Sequence, residues 1–280
     1  MVGLAGLRLL APHIWWQEVP SRTLPPYRGT ACYWLVKNNR AWLVDAGDGD
    51  EPGRLALEEG WTVLGRPRLE AILITHWHLD HSGGAGYAAA RFGAPVYLHA
   101  HDAATVTAHL PTAPPWRDPG QLPPGPGGLV VRALNAPGHT AGQVNLWLPD
   151  AGVLLAGDNV LGLGTSLVVP PDGHLRTYEA TLRRLQDLGP TMIGPGHGPP
   201  LADGGAVLAG YLAHRRDRER QVLDRLAEAP ATAHELALYV YRGEAPETVA
   251  LGRMMLGAHL DALADEGRVV QHDGRYRLVR

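Results

Sequence analysis

The chain has 280 residues, with 25 Lys plus Arg against 28 Asp plus Glu and a formal net charge of −3. That balance gives no global electrostatic case for binding nucleic acid or an anionic membrane, although it leaves room for a local basic groove. The single cysteine rules out an internal disulfide, and 45% hydrophobic with 19% charged residues is the make-up of a globular protein with a sizeable core.

Cys32 lies in an apolar run and reads as a small buried hydrophobe, which fits a cytoplasmic location. The first dozen residues lack a basic leader and Arg8 interrupts them, so they make a poor signal peptide. No apolar run approaches the roughly 18 residues of a membrane-spanning helix.

In chain order, residues 14–19, 30–37 and 41–44 read as strands, the last two joined by Asn38-Asn39-Arg40, which suits a hairpin. A helix follows within 51–60, then a nearly continuous apolar strand over 69–75. The alanine-rich stretch 83–92 predicts a helix, 96–99 a short strand and 102–110 another helix. Residues 111–128 carry too many prolines and glycines for regular structure and predict a long loop, either bordering a site or simply connecting. Strands are expected at 129–135, 143–148 and 153–156, a helix at 178–188, and the end of a last strand at Met192-Ile193. The strand tryptophans Trp15, Trp16, Trp34 and Trp42 are read as core.

The texture changes near residue 204. A long charged helix over 206–229 is followed by helices at 232–241 and 247–266 and by a hairpin over 268–279 turning at Asp273-Gly274. Helices followed by a hairpin suggest a winged-helix module, so the chain divides into residues 1–205 and residues 206–280. The alternating charges of 215–220 read as a solvated helix face.

The densest chemical signal is THWHLDHSGG, residues 75–84, where His76, His78, Asp80 and His81 fall within six positions directly after a strand. His76 and His78 alternate and can face one ion, and Asp80 and His81 can face another as the chain turns into the next helix. A catalytic zinc needs about three protein ligands plus water, so more ligands are required downstream. His139, Asp158 and His197 supply them, each in a glycine-bearing turn after an expected strand. His99 and His101 form another His-x-His at a strand end but are surplus to this set. His174 and Tyr178 could reach a substrate, although local capping is the simpler reading.

This pattern resembles the metallo-β-lactamase superfamily over roughly residues 12–203. The resemblance implies an α+β fold, an αββα sandwich with a metal site at one edge. It implies two zinc ions, with manganese or iron as alternatives. His76, His78 and His139 would hold the first, Asp80, His81 and His197 the second, and Asp158 would bridge them. A hydroxide held between the ions would be the nucleophile, with Asp80 orienting it or taking its proton, so Asp80 is the candidate catalytic residue. Asp45, at a strand end in Val44-Asp45-Ala46-Gly47, would support the ligands from behind, or else simply cap a turn.

Aspartate at 158, where the familiar di-zinc β-lactamases usually carry cysteine, resembles the thioesterase and phosphodiesterase branches. Histidine at 78, where flavodiiron proteins have glutamate, argues against an oxygen-reducing di-iron site. The interval from Asp158 to His197 is too short for the large nuclease branch. Residues 210–223, and 157–166 around the aspartate, resemble the lactamase-beta-2-like group, some members of which are single-strand-selective endoribonucleases.

The expectation is therefore a dinuclear metal-dependent hydrolase acting on single-stranded RNA. The alternative is a thioesterase or glyoxalase-II-like hydrolase of small acyl substrates. A winged-helix regulator with a vestigial metal site is the non-enzymatic alternative, and a complete ligand set argues against it. The tail holds eleven arginines and eleven acids, so no duplex DNA partner is expected, nor a membrane. A lid, a substrate wall or a contact in a homo-oligomer fits that neutral tail better.

Overall fold

The computed structural model describes residues 6–110 and 114–279. Strands β1 (Leu7–Ala11), β2 (Ile14–Pro20), β3 (Gly29–Lys37) and β4 (Arg40–Val44) form an antiparallel meander. The β3–β4 turn uses Asn38 and Asn39 at φ of 53° and 58°, left-handed values that asparagine tolerates better than most residues. Strands β5 (Arg68–Leu73), β6 (Val96–Tyr97) and β7 (Trp116–Arg117) extend the sheet in parallel. Helices α1 (Glu51–Val63), α2 (Leu79–Ser82), α3 (Ala85–Phe92) and α4 (Ala100–His109) occupy the crossovers.

A second sheet contains β8 (Arg132–Asn135), β9 (Val144–Leu148) and β10 (Val153–Gly157). After α5 (Leu175–Gln186) it adds β11 (Met192–Pro195) and β12 (Leu201–Ala202), in the order β12-β11-β10-β9-β8.

Period-two alternation sorts each strand between layers. Tyr33, Leu35, Trp42, Val44, Ala71 and Leu73 face Val144, Leu146, Val153 and Leu155 between the sheets. Their neighbours Trp34, Leu43, Ile72 and Ile74 point outward to the layer of Leu57, Ala85, Ala88 and Val106, from α1, α3 and α4. On the other side Trp147, Leu154 and Ile193 pack with Leu175, Tyr178 and Leu182 of α5. The result is an αββα sandwich. Trp16, Trp34 and Trp42 are buried and Trp15 is partly so, as core residues should be.

Strand direction decides where the site lies. Strand β5 runs parallel to β4, and β11 to β10, while β8 and β10 both run antiparallel to β9. The carboxyl ends of β4 and β5 deliver residues 45 and 76; those of β8, β10 and β11 deliver 139, 158 and 197.

Several expectations need correction. Strand β1 was not foreseen, because its apolar run reads as a mere terminus. The loop over 111–128 contains β7 and two short 3-10 turns, Pro119–Gln121 and Pro126–Gly128, although residues 111–113 lie outside the described residues. Strand β8 begins at Arg132 rather than 129. Helix α5 starts earlier than expected, because the His174 side chain accepts a hydrogen bond from the Thr177 amide and caps it.

The tail comprises α6 (Gly204–Glu228), α7 (Ala233–Val240), α8 (Pro246–Asp265) and the hairpin β13 (Val269–His272) with β14 (Arg275–Leu278). Thr232 and Glu235 form a reciprocal capping box at the start of α7. Val222, Leu226, Leu236, Leu256, Leu260 and Val269 make a separate apolar cluster. Helix α6 belongs to two cores, since its first half places Leu208, Tyr211 and Leu212 against α5. Arg176 of α5 adds ion pairs at 2.6 Å to both Glu219 and Glu266. The charge run over 215–220 is not wholly solvated, because Arg215 is buried. Among the described residues no helix is long and apolar enough to cross a membrane.

Candidate metal centre

The seven residues picked out in the sequence converge at the shared strand edge in two groups. His76, His78, His139 and Asp158 form one, and Asp80, His81 and His197 the other, with donor atoms within 4.8 Å of one another in each. His78 Nδ1 lies 2.9 Å from His76 Nε2 and 3.1 Å from His139 Nε2. His81 Nε2 and His197 Nε2 are 3.1 Å apart, and Asp80 Oδ2 is 3.2 Å from His197 Nε2.

Asp158 sits between the groups. Its Oδ2 faces His139 and His76 at 3.7 and 4.0 Å, and its Oδ1 faces His81 and His197 at 3.2 and 3.6 Å. Gly196 permits this approach, because a side-chain carbon there would run into Asp158 Oδ1. Gly138, at φ +138°, packs just as closely on Tyr178 and turns the chain into His139.

The far side of each ring tests whether these residues suit a cation. His139 Nδ1 donates to the Leu167 carbonyl at 2.6 Å and His197 Nδ1 to the Gly29 carbonyl at 2.8 Å. His81 Nδ1 pairs with Asp45 Oδ2 at 2.8 Å. A neutral ring that donates through Nδ1 turns the Nε2 lone pair inward. Two such lone pairs 3.1 Å apart, as at His81 and His197, repel unless a proton or a cation lies between them. Ligands about 2.0–2.1 Å from a tetrahedral ion lie about 3.3 Å apart, close to the spacing here. The nitrogen and oxygen donors fit a divalent metal ion.

Asp45 ties the groups together. Its Oδ1 accepts from the Thr75 amide at 2.7 Å and its Oδ2 from Thr75 Oγ1 at 2.9 Å, beside the His81 contact. Thr75 Oγ1 in turn lies 3.0 Å from His76 Nδ1. Asp45 holds these contacts at a left-handed φ of 61°, so it does more than cap a turn.

Electrostatics separate the groups. Burial and the neighbouring imidazoles push His76 well below the usual histidine range and His78 down to about 4. Burial also opposes charge on His81 and His197, yet the facing carboxylates, Asp158 foremost, win and raise both. Asp80 is held down at about 2, burial being outweighed by the His197 hydrogen bond and the charge of His81.

Comparison with known proteins identifies this arrangement, for residues 26–197 match the metallo-beta-lactamase superfamily. The chain belongs to that superfamily. It is 30% identical over 254 residues to a beta-lactamase-like protein 2 homolog of Drosophila melanogaster, covering 86% of this chain and 84% of the relative. It is also 30% identical over 240 residues to an atrochrysone carboxyl ACP thioesterase of Cryptosporiopsis, covering 84% and 68%. A metallo-beta-lactamase family protein of Thermus thermophilus superposes with a TM-score of 0.78 at 28% identity, covering 96% of this chain and all of that one. The protein is a hydrolase of the metallo-beta-lactamase superfamily with a histidine and aspartate cluster suited to a divalent metal.

Other sequence candidates fall outside the cluster. His99 caps α4, accepting from the exposed His101 amide. Tyr178 is buried and donates to the Asn159 carbonyl. Sequence reasoning missed Asp172, whose Oδ2 accepts from Trp77 Nε1 at 2.7 Å and whose Oδ1 accepts from the Ala141 amide at 2.9 Å. It also missed Asp102, which takes the Trp77 amide and Thr140 Oγ1. Both brace the chain beside ligand candidates, and nothing in their local sequence marks them. Tyr27 was also missed; its ring stacks 5.2 Å from His197 while its hydroxyl meets the Leu163 backbone.

Proposed function

We propose a dinuclear centre that hydrolyses an acyl carbonyl substrate, a thioester or related ester. His76, His78 and His139 would hold one ion and Asp80, His81 and His197 the other, with one Asp158 oxygen toward each. Zinc suits these donors, and manganese or iron are alternatives. Bound there, divalent ions would supply Lewis-acid polarisation of the scissile oxygen and lower the pKa of an attacking water toward neutrality.

The protein's own groups do the rest. Asp80, ionised down to about pH 2, is the hydrogen-bond acceptor that orients the attacking water. Leu167, Gly29 and Asp45 hold the rings of His139, His197 and His81 in the tautomer that points Nε2 inward. Tyr27 and Leu163 form one wall beside His197.

The observation that carries the carbonyl reading is the charge around the centre. Among the described residues no arginine or lysine bonds to any of the seven. Arg22, an exposed cation, is paired with Asp48 and Asp50 at 3.3 and 3.1 Å. A polyanionic RNA strand needs cationic partners along its path, whereas an acyl group does not. Relatives named as thioesterases support the same choice.

Cleavage of single-stranded RNA stands as the second reading, favoured by the likeness of residues 157–166 and 210–223 to the lactamase-beta-2-like group. The helix–helix–hairpin order of the tail supports a winged-helix reading of that module, used as a substrate wall or oligomer contact.

The test is a panel of acyl thioesters beside a labelled single-stranded RNA, given to the metal-loaded protein and to Asp80→Asn. Thioester turnover that falls by roughly 10²-fold or more in the variant, with metal retained, is expected. RNA cleavage without thioester turnover would replace the first reading by the second.

A further inference from the structure

The tail touches the metal centre's supports through two residues of one helix. Arg215 on α6 is only 1% exposed, and its Nε is buried without a hydrogen-bond partner among the described residues. Burying a cation is costly, so its position calls for an explanation. Its Nη2 donates to the Ser166 backbone carbonyl, and its guanidinium stacks 5.1 Å from the centre of the Tyr178 ring. One turn earlier on the same helix face, Tyr211 Oη accepts from the Leu161 amide at 2.8 Å and contacts the carbonyls of Leu161 and Gly164 at 3.0 and 3.3 Å.

The segment they grip runs between two candidate ligand supports. It leaves β10 at Asp158 and reaches Leu167, whose carbonyl accepts from His139 Nδ1. Ser166 closes the loop, its hydroxyl donating to the Asp158 carbonyl. Tyr178, beneath Arg215, donates to the Asn159 carbonyl at 2.7 Å. Ser166 is thus the hub: its carbonyl accepts from Arg215, its hydroxyl donates to the Asp158 carbonyl, and the next peptide carbonyl orients His139. Burial and the adjacent Arg215 hold His259 of α8 down to about 3. The fixed charge at this contact is therefore that of Arg215.

We propose that Arg215 and Tyr211 are positioning residues for the metal centre, fixing the 158–167 loop so that the Asp158 carboxylate and the His139 ring keep their ligand geometry. The tail is then a working part of the centre rather than an appendage. The inference rests on the reading of Asp158 and His139 as ligands.

The experiment titrates Co2+ into the metal-free full-length protein and into Arg215→Met, Tyr211→Phe, His139→Ala and Leu236→Ala. It also follows amide hydrogen exchange across residues 159–167 without metal. Arg215→Met and Tyr211→Phe are expected to keep the far-UV circular dichroism of the parent, to speed exchange in that segment, and to weaken Co2+ binding by about 10- to 100-fold. Leu236→Ala cuts the tail's own apolar cluster, and should lower the Tm while leaving Co2+ affinity unchanged. Parental affinity in both Arg215→Met and Tyr211→Phe overturns the proposal, as does an equal loss in Leu236→Ala. If Arg215→Met does not fold, Tyr211→Phe carries the test alone. Parent and His139→Ala binding Co2+ alike would instead remove the ligand reading, and the inference with it.

Discussion

The two halves of the centre share Asp158 but differ in charge. Beside one Asp158 oxygen stand His76, His78 and His139, of which His76 and His78 are held neutral by burial and crowding. Beside the other stand Asp80, His81 and His197, where carboxylates pull both rings toward the protonated form. In the first group His76 and His78 are ready-made neutral donors. To take up a cation, the second would have to release protons, since imidazole binds a metal only when deprotonated. One linear motif thus supplies two half-sites of unlike chemistry, and the difference comes from what faces each ring rather than from the ring itself.

The change expected to erase this contrast is Asp158→Ala. Both half-sites lose a donor, so metal content should fall in each and hydrolysis should drop by roughly 10³-fold or more. Metal analysis showing loss from one half only would contradict the shared role of Asp158.

Asp45→Asn should sharpen the contrast. Its Oδ2 accepts from both His81 and Thr75, and an amide nitrogen there would face two donors. His81 feels this directly and His76 only through Thr75, so the second half-site should weaken more, by about 10- to 100-fold. Stepwise Co2+ titration separates the two, and equal loss in both halves would contradict the ordering.

The mildest probe is acid. Protons compete longest with the cation where histidine pKa values are raised. As pH falls from about 8 toward 5, near the ordinary histidine range, the second half-site should empty first. The first one, where His76 lies well below the usual histidine range and His78 at about 4, should persist. Metal per chain measured against pH should show two steps; simultaneous release would remove the proposed asymmetry.

All seven candidate ligands and Asp45 were legible in the sequence for one physical reason. Asp45, His76, His139, Asp158 and His197 each follow a strand, strands running in one direction present their ends at one edge, and His78, Asp80 and His81 follow His76 into α2. His139, Asp158 and His197 stand far apart in the chain, yet the glycines before them mark turns where backbone comes close. Asp102 and Asp172 were not legible, because their partners, the Trp77 amide and indole, lie 25 and 95 residues away. Arg215 was misread for a different reason. Alternating charge describes a solvated face on average, but a helix wedged between two clusters has no single solvated face along its length. The helix–helix–hairpin order of the tail was legible from the change of texture near residue 204 and the Asp273-Gly274 turn, whereas its grip on the 158–167 loop runs through backbone carbonyls, which leave no mark in sequence.

Helix α6 also bears on whether this chain could be shortened or shuffled. Leu208, Tyr211 and Leu212 cover the outer side of α5, while Val222 and Leu226 fill the tail cluster. Each such side chain stabilises its surroundings by about 1.5–3 kcal/mol when buried. Removing the chain beyond β12 would bare a greasy strip along the sandwich and leave the 158–167 loop without its partners. A minimal hydrolase cut at that seam is expected to aggregate, and the tail could not be traded for an unrelated module unless its replacement brought the same helix face.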